Sequence, residues 1–526
     1  MDLRNIVQKE IYKINLNIQK GRYSEALSKW RSFEKKYPLL AKAHKAGILI
    51  EIGSGLKDKI IIMDGIKSGI SLIKEDSPYY PKDVILYNIA NGYTCLFNVD
   101  YSSYTFEDIV NNSNLQKAKE YYREAIESKK YKDIDFESQL WTNYGNCLDS
   151  LGRGVEAFYA YDEALKINPK FAMALGNKAL ALCFFADISG IYREAMYIKA
   201  YQMLKEATQN DNIIKYGTKK AKKDFQEKMK EIEYKFQGKK DILLSDLKHK
   251  EYDSKHLTKF EKFYIDFCIK NDIFLNFHIH EKNCEASISD PIFISLITNK
   301  KDFLSFYNLS KYINQIKEDY IVARLLLVQS QFKKNDFIRL SKRTLLVNTF
   351  DGIMFNLYTG LLKSAFIVAF QILDKIARFI NEYLQLGIAD DIYFSTIWEC
   401  KDENGKMMLR PEILNLKNIS LFALYDICLD YKSKYYEAIN NIRTSIVHER
   451  LIIYDDLTSK FETMNKDEIS YSSMLNQTLE LFKLARSLII YLINSVELEE
   501  KKKREKSKNL FLTIYPNTDQ TFNFLE

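Results

Sequence analysis

Apolar residues recur three and four positions apart along most of the chain, the period of a helix with one buried face. The clearest case is Ile372, Leu373, Ile376, Ile380, Tyr383 and Leu384. They predict a long helix, or a pair, between 351 and 386, with Gly387 as its stop. A second helix is expected from Ile419 to Tyr431. A last one runs from Tyr471 to Leu498 and carries Leu475, Leu479, Leu481, Phe482, Leu484 and Ile489. Between the first two, Asp402, Glu403, Asn404, Gly405 and Pro411 mark a loop or insertion. Earlier, Phe303, Phe306 and Leu309, then Ile321, Leu325 and Leu326, suggest further helical pairs between 301 and 346, possible degenerate repeats. With only 7 Pro and 18 Gly in 526 residues, few positions can break a helix. The expected fold class is all-α.

In the first 210 residues the pattern repeats. Trp141, Gly145, Leu148, Ala157, Tyr161, Ala164 and Pro169 fall at the offsets of one helix–turn–helix unit. Small residues at 145 and 157 allow two helices to approach, Tyr161 fills the gap between units, and Pro169 ends the second helix. Partial copies stand at Ala26, Trp30, Phe33 and Pro38, after the turn Gly21-Arg22-Tyr23, and at Ala118, Tyr122 and Ala125. The first helix of that last copy, with Tyr87, Ala90 and Gly92, is set off by an insertion from Asn98 to Asn114. A further first helix begins at Ala172. The pattern resembles the tetratricopeptide (TPR) repeat. Stacked units of that kind form a solenoid whose concave face takes a protein or peptide partner, or which serves as a scaffold alone.

Candidate chemistry is concentrated in Asn440-Asn441-Ile442-Arg443-Thr444-Ser445-Ile446-Val447-His448. A histidine titrates near neutrality and can take or return a proton, while arginine offers fixed, permanently charged donors to a phosphate. On an ideal helix two residues five apart lie roughly 140° around the axis. The pair therefore requires a helix that begins or kinks inside the motif, or a second subunit. Alternatively, Arg443 pairs with Glu449 or Asp455 and His448 is a satisfied histidine between helices.

Long helix, insertion, helix, R-x4-H segment and long helix, in that order over 351–498, resemble the HEPN domain. Many HEPN domains are endoribonucleases that work without a metal. The resemblance implies Arg443 and His448 as the catalytic pair, an RNA substrate and a homodimer that brings two motifs to one cleft. It also implies supporting roles for Thr444, Asn441 and an acidic residue on the first helix, Asp374 or Glu382. Thr444 stands where many active members have Asn, Asp or His. Arg450 stands where members silenced by a nucleotidyltransferase partner have Tyr, which argues against an adenylylation switch. TPR and HEPN together are similar to bacterial proteins of phage defence and abortive infection.

Composition changes this little. The net charge of +7 permits a nucleic-acid partner without demanding one. Seven scattered cysteines, none in C-x-x-C spacing, read as reduced thiols. The start Met-Asp-Leu-Arg-Asn-Ile has no apolar signal core, and the longest apolar runs, 365–370 and 488–493, cannot span a bilayer. A cytoplasmic protein that does not enter membranes is expected. His278, His280 and Cys284 form the one metal-like cluster but lack an evident fourth ligand, so no metal or cofactor is expected. Lys219-Lys220-Ala221-Lys222-Lys223 reads as a solvated helix face. The expected division is repeats over 1–210, a helical middle over 211–350, the HEPN domain over 351–498 and a charged tail over 499–526. That tail either extends the last helix into solvent or offers phosphate contacts near the dimer cleft.

Overall fold

The computed structural model describes residues 3–75, 81–100, 105–128, 133–188, 193–244, 255–276, 285–294, 296–298, 303–333, 335–347, 352–457, 467–506 and 512–513. His278, His280 and Cys284 lie outside them. The described chain is mostly helical, with a few two- and three-residue strands. None of its helices is long and apolar enough to cross a membrane. Two compact units appear, 1–184 with 197–245, and 185–196 with 246–526. The stretch 211–350 is thus shared between them near Ser245.

The first unit is built of TPR-like helix pairs. Ile134–Ser150 and Gly154–Ile167 pack against each other. Gly145 makes this possible, because a Cβ there would lie 2.5 Å from the Tyr161 ring. Asp133 caps the first helix by accepting from the Phe136 amide at 2.7 Å. Leu3–Gln19 and Tyr23–Lys36, joined at Gly21, repeat the arrangement around buried Ala26, Trp30 and Phe33. The insertion expected after the Lys82–Asp100 helix contains a short helix, Phe106–Asn111, before the Asn114–Ser128 helix. Lys219 to Lys223 open the Lys219–Lys235 helix, and Lys219, Lys220 and Lys223 are exposed.

In the second unit the stretch expected to form helical pairs holds instead one 29-residue helix, Phe303–Gln331, followed by the short Asn335–Ser341. No Gly or Pro interrupts the long helix. It packs along the central helix, Leu357–Tyr383. That helix starts at a capping box, where Asn356 accepts from the Thr359 amide at 3.0 Å and its own amide donates back to the Thr359 hydroxyl at 3.4 Å. It ends at Tyr383, and Gln385, with φ +52°, turns the chain out of it before Gly387. Its Leu362, Phe366, Ala369, Leu373, Ile376 and Ile380 are buried, and it also packs against the closing helix, Tyr471–Lys506, whose Leu481, Ala485, Leu488 and Leu492 are buried too. Each such large side chain stabilises the unit by about 1.5–3 kcal/mol.

The expected insertion is a hairpin. Glu399–Lys401 pairs antiparallel with Met407–Leu409, and Asp402 closes the turn by accepting from the amides of Asn404 and Lys406. The expected tail continues the closing helix to Lys506, but its first two residues turn inward. Glu499 accepts from the Asn418 amide at 2.8 Å and Glu500 from the Tyr383 hydroxyl at 2.8 Å.

Candidate active site

The motif lies on a short helix, Glu437–His448, whose apolar face, Ile439 and Ile442 with Ser445, is buried. Arg443 is half-buried and His448 exposed. The helix neither begins nor kinks between them. It ends at His448, and Glu449 leaves it with φ −126° and ψ −137°. A side chain at this last turn has no following turn beside it, and the long arginine reaches along the helix to meet it. Arg443 Nη1 is 3.3 Å from His448 Nε2. Arginine can only donate, so the contact is a hydrogen bond when Nε2 carries no proton. One chain thus forms the contact. Glu449, the alternative partner for the arginine, accepts instead from the Ser445 hydroxyl at 3.4 Å.

Just beyond His448 the backbone is tied down. Ile452–Tyr454 pairs in parallel with Glu468–Ser470, the residues before the closing helix. On its other side the Met354 amide, before the central helix, donates to the Ile453 carbonyl at 2.8 Å. The motif helix therefore ends against the starts of both long helices of the bundle. Arg450, two residues past the histidine, faces Asp467 at 3.5 Å.

On its inner side Arg443 opens onto a pocket of about 280 Å³. The central helix contributes Phe370, Leu373 and Asp374; the segment before the hairpin, Tyr393, Phe394 and Ser395; the Ile419–Lys432 helix, Tyr431; the motif helix, Asn440, Arg443 and Thr444. The guanidinium lies over the Phe370 ring, 5.8 Å from its centre. Asp374 Oδ1 accepts from the Phe394 amide at 3.0 Å. Burial raises the Asp374 carboxyl above the ordinary range, against that hydrogen bond and the charges of Arg378 and Arg443. Burial also pushes the Tyr431 hydroxyl up to about 12, with the Asp374 charge adding to the shift.

Of the residues expected at the site, Arg443, Thr444 and Asp374 share the pocket, and His448 joins them through the arginine. Asn441 is exposed and outside it; its neighbour Asn440 takes the inward position. Glu382, eight residues beyond Asp374 and so about 12 Å along the helix, is not in the lining either. Tyr431, Phe394 and Phe370 are additions that no spacing announced. Among the described residues no cluster of three or more His, Cys, Asp or Glu is placed to hold a metal.

Two long helices flanking a short helix that ends in R-x4-H define a bundle of the HEPN class. Residues 305–499 match the family described as LA2681-like HEPN, and the C-terminal part of the chain is a HEPN domain of that family. The match takes in the Phe303–Gln331 helix almost entirely. Among solved structures, the TPR2AB domain of yeast Sti1, in a complex with pHSP90, aligns with 43% of this chain and 98% of that one. At 13% identity and a TM-score of 0.17, that likeness carries no argument. No curated protein matches the chain.

Proposed function

We propose that the HEPN domain is an endoribonuclease acting through Arg443 and His448, with Asp374 and Thr444 in support. The observation that carries this reading is the 3.3 Å contact that holds the imidazole beside a guanidinium at the edge of a pocket. As Arg443 turns to the phosphate it frees His448 Nε2, which takes the proton of a ribose 2′-hydroxyl while that oxygen bonds to the adjacent phosphorus. The bond from phosphorus to the 5′-oxygen then breaks, and that oxygen leaves with a proton. Arg443 donates to the phosphorane oxygens, where charge accumulates. The products are a 2′,3′-cyclic phosphate and a 5′-hydroxyl. Pairing of two HEPN domains would bring a second histidine to the cleft, so that one accepts the proton and the other supplies it. These roles need no metal, because histidine handles the protons and arginine the charge.

The test is cleavage of mixed cellular RNA in EDTA by the full chain, Arg443→Ala and His448→Ala. Both variants should fold and lose activity by about a hundredfold or more. Full activity in His448→Ala would refute the mechanism.

The TPR-like unit fits a docking role for a protein or peptide that controls the nuclease. Polar side chains linked from one helix pair to the next support this. Asn143 donates to the Tyr87 hydroxyl at 2.9 Å, and Asn146 accepts from Tyr161 at 3.0 Å and from Asn177 at 2.6 Å. Together the two units suit a cytoplasmic effector of antiphage defence, in which a docked signal releases RNA cleavage and arrests growth. A folded dimer that protects RNA without cutting it would favour the alternative, a non-catalytic adaptor that binds RNA or a peptide partner.

A further inference from the structure

We infer that the pocket beside Arg443 holds one base of the RNA strand and selects a base that presents an amino group, cytosine over uracil among the pyrimidines. The inference rests on the RNA reading above and gives it a sequence preference.

Three features of the pocket carry it. Its walls are aromatic. Phe394 stands edge-on to Tyr431 with ring centres 6.4 Å apart, and Phe370 lies 6.4 Å from the same tyrosine. Phe370 and Phe394 are buried, so the rings open to a base are Tyr431 and the exposed Tyr393, and such rings take a base by stacking, whichever base it is. Next, its polar groups are few and available. Asp374 uses one carboxylate oxygen on the Phe394 amide, and no hydrogen bond engages the other among the described residues. The side chains of Asn440 and Thr444 line the same space and make no hydrogen bond among the described residues. A half-buried carboxylate in an aromatic pocket calls for a donor, and N4 of cytosine is one, whereas O4 of uracil is an acceptor and would face it repulsively. Finally, Arg443 belongs both to the pocket and to the contact with His448. A base seated there keeps its own phosphate near the guanidinium and the imidazole, which couples base choice to the bond that is cut.

The experiment uses full-length His448→Ala in EDTA, so that RNA survives, and compares binding of labelled octacytidylate and octauridylate. Octacytidylate should bind at least about tenfold more tightly. Asp374→Asn should bring the ratio toward one, and Tyr431→Leu should weaken both oligonucleotides alike. Equal affinities for the two octamers overturn the inference whether or not those variants fold, and so does a ratio that folded Asp374→Asn leaves untouched. Free cytidine monophosphate that competes as well as the octamer overturns the assignment to an RNA strand and makes the pocket a nucleotide site. Wild-type protein on the same octamers separates the two readings. A binding preference without cleavage defeats only the nuclease, and cleavage without a preference defeats only the base pocket.

Discussion

His448 is presented to solvent because it is the last residue of its helix, and Arg443 is held because its neighbours on the same face are buried. The five-residue spacing made both visible in the sequence, but not how they meet. An ideal helix sets them far apart, and only the helix end at Glu449 lets the arginine close the distance. Helical phase also separates the two asparagines. Asn440 lies one turn before Arg443 and Thr444, the residues that share its pocket, while Asn441 is rotated about 100° away into solvent. Asp374 and Glu382 stood as equal acidic candidates on the first long helix, and only the fold separates them by setting Asp374 in the pocket lining. Tyr431 and Phe394 were not identifiable, since their role exists only once three segments meet. Asp374 also has a consequence for stability. Its folded pKa is raised by burial, so its contribution is present below the unfolded value and lost as pH rises through the folded one. Asp374→Asn should therefore gain in melting temperature relative to wild type between pH 4 and pH 7, as measured by thermal unfolding across that range. A difference independent of pH would mean that the carboxyl is not strained by burial.

Among the elements, the long periodic helices were the easiest to read. The central and closing helices stand close to where their apolar spacing put them, although the first is turned out at Gln385, two residues before the expected Gly387. Local polarity was a poorer guide. Glu499 and Glu500 open a run of charge that reads as solvated, yet both are buried because Asn418 and Tyr383 donate to them. Likewise, a 29-residue helix without breakers replaced expected pairs, because turns are announced by their residues and none were there. In the TPR-like unit, the fit between Gly145 and Tyr161 is testable. Tyr161 is buried and its hydroxyl donates to Asn146, so the ring has little room to yield to a Cβ 2.5 Å away. Gly145→Ala should lose about 1–3 kcal/mol to overpacking, against about 1 kcal/mol regained in helix propensity. Chemical denaturation should show the net loss. Combined with Tyr161→Leu, its cost should be smaller than the two single costs added, because the two side chains contend for one space.

At the scale of the whole molecule, the second unit reaches further back than its motif suggests. Arg486, buried on the closing helix, donates to the carbonyl of Phe274 at 2.8 Å and also to that of Asn276. Arg324, buried on the Phe303–Gln331 helix, donates to the Ile273 carbonyl and to Asp290, both at 2.9 Å. Two arginines thus satisfy the backbone of a short segment that has little secondary structure of its own. A fragment of residues 246–526 should unfold in one cooperative transition followed by circular dichroism. A fragment of 351–526, stripped of the helix that covers the central one, should aggregate or melt without a transition. If the shorter fragment were as stable as the longer, the arginine contacts would be incidental. The grip of Arg486 on a carbonyl 212 residues earlier also bears on the order in which a ribosome delivers the parts. At about 5–20 residues per second, the earlier segment waits roughly ten to forty seconds for the arginine that completes it. The helix pairs of the first unit, whose partners are near neighbours in sequence, can close during that interval. The first unit would then be standing before the HEPN domain has been assembled.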